Sequence, residues 1–205
     1  MTQEERSERS RAAILEAALQ MFSHQGFRGT SIRDVAARAG VSTGSVYHHF
    51  RDKEALLNTL LEQFWTAIEA PDYPINRALD AGAFPDRLDD IGSAAREVVD
   101  AWRQHIALIY VDVVEFEGLH IRKFYSSFAA RCDKFINDHR DKQNIVDRLR
   151  PGIPPGVAML MALRIYFYYF VVDKLFGVPD AYGMSSDEAV AVMSNILKHG
   201  MLRNT

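Results

Sequence analysis

The sequence predicts an all-α fold. Apolar residues recur at three- and four-residue spacing from Ile14 onward, and glycines and prolines separate the periodic stretches. Period-two alternation is missing apart from an ambiguous run at 106–114. With 205 residues, 48% of them hydrophobic and 25% charged, the chain can bury a sizeable core and is neither disordered nor membrane-like in composition.

Ile14, Leu15, Ala18, Leu19 and Phe22 share one helical face and Gly26 stops the pattern, so a first helix is expected over 10–25. Thr30 and Ser31 offer cap hydroxyls to a short second helix carrying Ile32, Val35, Ala36 and Ala39 and ending at Gly40. Ser42 caps a third helix, which reaches no further than His49 because Asp52 starts the next. That fourth helix shows Leu56, Leu57, Leu60, Leu61, Phe64 and Ile68 on its apolar side and runs to Pro71 and Pro74. Residues 71–85 read as a loop. Residues 88–117, 119–149 and 155–177 read as long helical stretches parted by Gly118, Pro151-Gly152 and Pro154-Pro155, and a last helix over 186–202 is closed by Gly200.

The net charge of −3 is unevenly placed: residues 1–53 carry eight Lys/Arg against six Asp/Glu, which leaves −5 on the remainder. This N-terminal excess suits phosphate contact, but a solvated charged face would look the same. Cys132 is the single cysteine, which excludes a disulfide framework and a cysteine-rich metal site; it is expected as a buried, small apolar residue in a reducing compartment. His105, His120 and His139 are scattered and no HExxH occurs, so neither metal nor cofactor is expected. The N-terminus lacks the apolar stretch of a signal peptide, and Glu4, Glu5 and Glu8 argue against a transit peptide. The most apolar run, 157–172, is broken by Arg164 and falls short of the roughly 20 residues a bilayer needs. A cytoplasmic protein with no membrane span is expected.

Two short helices around a glycine-centred turn, 32–39 and 42–49, fit a helix-turn-helix, whose second helix enters the DNA major groove. Ser42, Thr43, Ser45, Tyr47, His48 and His49 crowd hydrogen-bonding groups onto a helix whose one aliphatic anchor is Val46. Its N-terminal amides suit a phosphate, Gly44 lets the backbone come close, and Lys53 adds a mobile cation. Short polar helices with glycine turns also occur in all-α proteins that touch no DNA, so this pattern by itself leaves both readings open.

A longer set of residues at fixed spacing goes further: Ala17-Ala18, Phe22, Gly26-Phe27, Thr30-Ser31, Val35-Ala36, Ala39-Gly40-Val41-Ser42, Gly44-Ser45, Tyr47-His48-His49-Phe50 and Lys53-Glu54-Ala55-Leu56. In these the chain resembles the TetR family of bacterial transcription regulators, over about a quarter of its length. The resemblance implies a three-helix helix-turn-helix DNA-binding domain, 1–53, and a larger helical domain, 54–205, for effector binding and dimerisation. It implies Arg33, Ser42, Thr43, Gly44, Ser45, Tyr47, His48, His49 and Lys53 at the DNA, with Tyr47, His49 and Lys53 on phosphates and Arg33, Thr43, Ser45 and His48 nearer base edges. An arginine can pair bidentately with guanine, whereas hydroxyls discriminate poorly. Thr43 stands where many relatives carry Lys, which removes one phosphate contact.

Past residue 57 the resemblance is architectural: the last two long helices form a dimer bundle and the others enclose an effector pocket. Met159, Leu163, Tyr166, Phe167 and Phe170 make one apolar face and Val190, Met193, Ile196 and Leu197 another, explained by dimer contact or by burial within one subunit. A homodimer doubles the contact on a palindromic operator. Phe64, Trp102, Tyr110, Tyr125, Phe128 and Tyr168, with Arg164, are candidates to line a pocket for a small apolar or aromatic effector, though each aromatic taken alone reads more readily as core. Asp112, Glu115 and Arg164 lie inside apolar runs, where an isolated charge is costly; they pair with one another, reach solvent, or receive a charged ligand.

The function expected is that of a sequence-specific DNA-binding regulator of transcription, a repressor released by a small-molecule effector. The alternative is a regulator of the same fold controlled by a partner protein or by no ligand. No GxSxG, P-loop, dinucleotide fingerprint or zinc motif is present, so no enzyme is expected.

Overall fold

Helix α1 (Gln3–Gln25) begins well before its apolar face does, in a computed structural model that describes residues 2–179 and 183–203. Thr2 and Glu5 form a reciprocal capping box: the Glu5 amide donates to Thr2 Oγ1 at 3.1 Å and the Thr2 amide to Glu5 Oε2 at 2.7 Å. The added turns are polar all round, so no hydrophobic periodicity announces them. Helices α2 (Ile32–Ala39), α3 (Thr43–His49) and α4 (Lys53–Glu69) follow as the spacing predicts.

Later boundaries differ more from expectation. The segment 71–85 contains α5 (Pro74–Asp80), with Pro74 in its first turn, where a missing N–H costs nothing. The stretch 88–117 divides into α6 (Leu88–Ala101) and α7 (Arg103–Glu115), and 119–149 into α8 (Ile121–Asp138) and α9 (Lys142–Arg148). The first division falls at Trp102, with no glycine or proline to mark it. Helix α10 (Pro155–Phe170) passes into a π-helical turn at Val171–Leu175, and α11 (Ser186–Met201) closes the described chain. Gly200 lies within α11, which ends at Met201 with Leu202 as its C-cap. Among the described residues there is no strand beyond an isolated bridge between Leu149 and Leu202, and 106–114 belongs to α7.

The chain packs as two compact units. The first comprises residues up to 67 together with 104–123, and the second 68–103 together with 124 onward. In the first, Ile14, Ala18 and Phe22 of α1, Val35 of α2 and Val46 of α3 share one core with Leu56, Leu57, Leu60 and Leu61 of α4 and Leu108 of α7. The boundary expected at residue 53 therefore does not coincide with a break in packing. A three-helix piece of that size buries little surface, and α4 and α7 supply the missing apolar cover.

In the second unit α10 packs on α6 and α11. Tyr166 is fully buried there, its hydroxyl 2.7 Å from Ser194 Oγ. Met159, Leu163, Tyr166 and Phe170 with Val190 and Leu197 are all buried within this unit, so the faces formed by these residues hold one subunit together. The exposed apolar residues are Val157, Met161, Ile165 and Tyr168 at helical spacing on α10, and on α11 Val192 together with Ile196, a member of the expected face that stays exposed.

Of the alternatives open for Asp112, Glu115 and Arg164, pairing of the acids with Arg164 is not seen: Asp112 and Glu115 find their partners inside the first unit, and Arg164 is exposed in the second. Asp112 is fully buried; it accepts from the amides of Ile121 at 3.1 Å and His120 at 3.4 Å and faces His120 Nδ1 at 2.5 Å. Glu115 accepts from two backbone amides of the turn between α1 and α2.

Candidate nucleic-acid interface

Ser31 starts α2 through a second capping box. The Asp34 amide donates to Ser31 Oγ at 3.2 Å, and the Ser31 amide donates to Asp34 Oδ2 at 3.1 Å. The Ser31 hydroxyl also donates to Asp34 Oδ2, at 2.5 Å, and this bond first, then that of the Ser31 amide, holds the Asp34 carboxyl below the usual carboxylate range. Gly40 ends the helix in the left-handed region, at φ 68°, where a Cβ would be strained. The Gly40 and Val41 amides reach back to Ala37 at 3.3 Å and Ala36 at 3.0 Å, so α2 turns into α3 within a few residues. Ser42 then caps α3, accepting from the Ser45 amide at 3.1 Å.

Val46 anchors α3 in the core with no exposed surface. Phe50 follows it inward, with the Arg11 guanidinium 5.3 Å from its ring centroid. The rest of α3 faces outward: Thr43, Gly44, His48 and Tyr47 are exposed, Tyr47 to 58%, and Ser45 and His49 are half-buried. Ser42, before the helix, and Arg33, on α2, are exposed as well. Burial lowers the His49 pKa, with the charges of His48 and Arg11 acting in the same direction, so at pH 7 the ring is a neutral hydrogen-bonding group.

Lys53 sits differently. Its ammonium donates to the carbonyls of Phe27 at 2.6 Å and Thr30 at 2.8 Å and lies 4.0 Å from the centroid of the Phe27 ring. Burial lowers its pKa and the Glu115 charge opposes that. The expected mobile cation is thus held by the α1–α2 turn. Glu115, on the other side of the same turn, was visible in the sequence only as a charge in an apolar run. Its partners are backbone amides, which leave no signature in the sequence.

The residues expected around an effector are spread over the fold. Phe64 is buried in the first unit against Trp65 and His105, as core, and Tyr110 is exposed on α7. In the second unit Trp102 and Phe128 are half-buried while Tyr125, Arg164 and Tyr168 are exposed. Phe124 of α8 brings Tyr125 and Phe128 together, each ring centroid 5.5 Å from its own. Burial raises the Tyr125 phenol pKa and the Arg164 charge opposes it, which places the guanidinium within electrostatic reach of this cluster. Burial likewise pushes the Cys132 thiol up to about 11, in keeping with a small apolar role. An open groove of about 920 Å³ between α5 and α6 is lined by Arg77, Asp90, Arg96, Glu97 and Asp100 among others, and by none of the expected effector residues.

The sequence model of the family described as "Bacterial regulatory proteins, tetR family" matches residues 14–60. The chain is 32% identical over 149 residues to the HTH-type transcriptional repressor KstR2 of Mycobacterium tuberculosis, covering 71% of this chain and 68% of that one. Among solved structures it is similar to NalD of Pseudomonas aeruginosa, described as the secondary repressor of the MexAB-OprM multidrug efflux pump. The TM-score is 0.64 at 21% identity, over 98% of this chain and 100% of that one. The structure of the ketosteroid transcriptional regulator KstR2 of Mycobacterium tuberculosis matches with a TM-score of 0.56 at 17% identity, over 95% of each chain. Family segment, relative and all-helical architecture agree, and none of them is an enzyme. The chain belongs to the TetR family and is a helix-turn-helix, DNA-binding regulator of transcription.

Proposed function

We propose that the chain is a homodimeric repressor, working in the cytoplasm, whose two α2–α3 pairs grip a palindromic operator and whose larger unit releases it on binding a small apolar or aromatic molecule. The observation that carries this is α3 itself, held by one buried residue, Val46, while Thr43, Gly44, Tyr47 and His48 face solvent. Arg33 and Ser42 extend the same polar surface. Tyr47, the neutral His49 and the Ser and Thr hydroxyls suit phosphate and base edges.

The exposed apolar stripes on α10 and α11 support a dimer, because four residues at helical spacing on one and two on the other would otherwise stay in water. Half of the apolar segment Pro155–Leu175 is already buried inside its own unit, which suits a core helix covered by a second copy. The aromatic cluster around Phe124, with Arg164 beside Tyr125, supports an effector that is aromatic or apolar with an acidic group. KstR2 and NalD are both named repressors, which supports repression over activation.

Selection of bound duplexes from a random library, followed by titration of the recovered duplex against a metabolite panel, tests this reading. The expected outcome is an enriched inverted repeat bound by two subunits and released by at least one aromatic or apolar compound. Absence of an enriched duplex would defeat the proposal.

A further inference from the structure

We propose that Glu115 is a positioning residue for DNA binding: from the end of α7 it fixes the turn between α1 and α2, and through that turn the two helices that face the DNA. It lies far beyond residue 60, where the family match ends. Its carboxylate accepts from consecutive amides, Phe27 N–H to Oε1 at 2.8 Å and Arg28 N–H to Oε2 at 2.7 Å. Gly26 makes this approach feasible, because at its φ of 80° a Cβ would stand 2.6 Å from Oε1. Across the turn, Lys53 takes the Phe27 and Thr30 carbonyls, and the Thr30 hydroxyl donates to the Gly26 carbonyl at 2.9 Å. The Phe27 ring is wedged against Phe22 at 5.4 Å and against Phe116, the neighbour of Glu115, at 4.8 Å.

An anion therefore holds the Phe27 and Arg28 amides of this turn, and a cation holds its Phe27 and Thr30 carbonyls. Charge-assisted bonds of this kind are short and directional, so they set an angle as well as a distance. The turn leads directly into Ser31, the cap of α2, and the tight Gly40 turn couples α2 to α3. Loosening the turn tilts α2, and α3 moves with it. The inference rests on DNA recognition by α2 and α3. Removing a carboxylate from a DNA-binding surface ordinarily tightens binding through its effect on the field at the phosphates, whereas loss of a positioning carboxylate weakens it.

The test uses the full-length protein, the duplex it selects from a random library, and two variants. Glu115→Gln keeps the size but presents one amide donor to an amide donor; Glu115→Asp keeps the charge but falls one methylene short. Both are expected to bind the selected duplex at least tenfold more weakly while binding random duplex no more weakly than the parent. Hydrogen exchange at the Phe27 and Arg28 amides is expected to quicken at least tenfold in both, with the Ala18 and Phe22 amides protected as in the parent. Undiminished binding of the selected duplex by Glu115→Gln overturns the proposal, as does parental affinity in Glu115→Asp or parental exchange at Phe27 and Arg28. Loss of protection at Ala18 and Phe22 overturns it in favour of a purely structural role. If the parent enriches no duplex, the DNA-interface reading fails, and the amide exchange still decides whether the carboxylate holds the turn.

Discussion

The fully buried carboxylate of Asp112 lies 2.5 Å from Nδ1 of His120, whose other ring nitrogen is 3.7 Å from Glu54 Oε1 on α4. With the ring removed, Asp112 keeps, among the described residues, the amides of His120 and Ile121. His120→Ala is expected to cost about 1–3 kcal/mol, the usual result of leaving a buried polar group short of a hydrogen-bond partner. Urea unfolding measures it, and Asp112→Asn in the same background is expected to recover part of the loss. A cost under about 1 kcal/mol would show that the carboxylate does not depend on the ring.

Burial lowers the His105 pKa to about 4, and its ring lies 6.3 Å from that of Phe64. The folded imidazole is thus depressed below its unfolded value, so between about pH 6.5 and 4 the unfolded chain binds a proton that the folded chain does not. Stability from this group is present above that window and is lost as the pH falls, by about 2 kcal/mol between pH 7 and 5. In His105→Phe that share of the acid sensitivity disappears. Unfolding curves of parent and variant at the two pH values give the comparison, and parallel losses would count against the assignment.

Tyr47 and Arg33 are both exposed but suit different jobs. Tyr47→Ala is expected to weaken binding to selected and random duplexes alike, as loss of a phosphate contact does. Arg33→Ala is expected to lower the preference for the selected duplex by about 1–3 kcal/mol, the value of a bidentate base contact. Titration of both variants against both duplexes separates the two. Equal loss on both duplexes for Arg33→Ala would remove it from base readout.

Ile165 and Ile196 are 40% and 64% exposed on the outer faces of α10 and α11. An aspartate at either position, Ile165→Asp or Ile196→Asp, is expected to give a folded monomer in analytical ultracentrifugation, because it places an unpaired charge in the proposed contact. The same change at Leu163, which is buried, is expected to unfold the larger unit. A dimer surviving both outer substitutions would move the interface elsewhere.

The short helices were legible to the residue because their ends are chemical: Ser31, Gly40 and Ser42 each make the bond their side chain or conformation allows. The break at Trp102 was not, since it carries no glycine, proline or cap. The two faces of α10 show a different limit. Its apolar residues run nearly all round, so periodicity could not say which stripe meets α6 and which meets solvent, and the inner stripe was a fair candidate for the outer one. At the candidate interface the outward set on α3 was readable from polarity around Val46. The partners of Lys53 and Glu115 were not, because main-chain amides and carbonyls are the same at every position.

Lys53 donates to two carbonyls of the α1–α2 turn, and Thr43 carries no charge; if Lys53 keeps those carbonyls on DNA, neither supplies a cation to the phosphates. Each cation absent from that contact lowers the dependence of log affinity on log salt by about 0.9. The candidate surface then relies on Arg33 and on uncharged hydrogen-bonding groups, which need the right groove in the right place. On that footing the hold on random duplex is expected to be weak and little altered by salt, which titration across salt concentrations measures, and few copies would then be tied up on non-operator DNA.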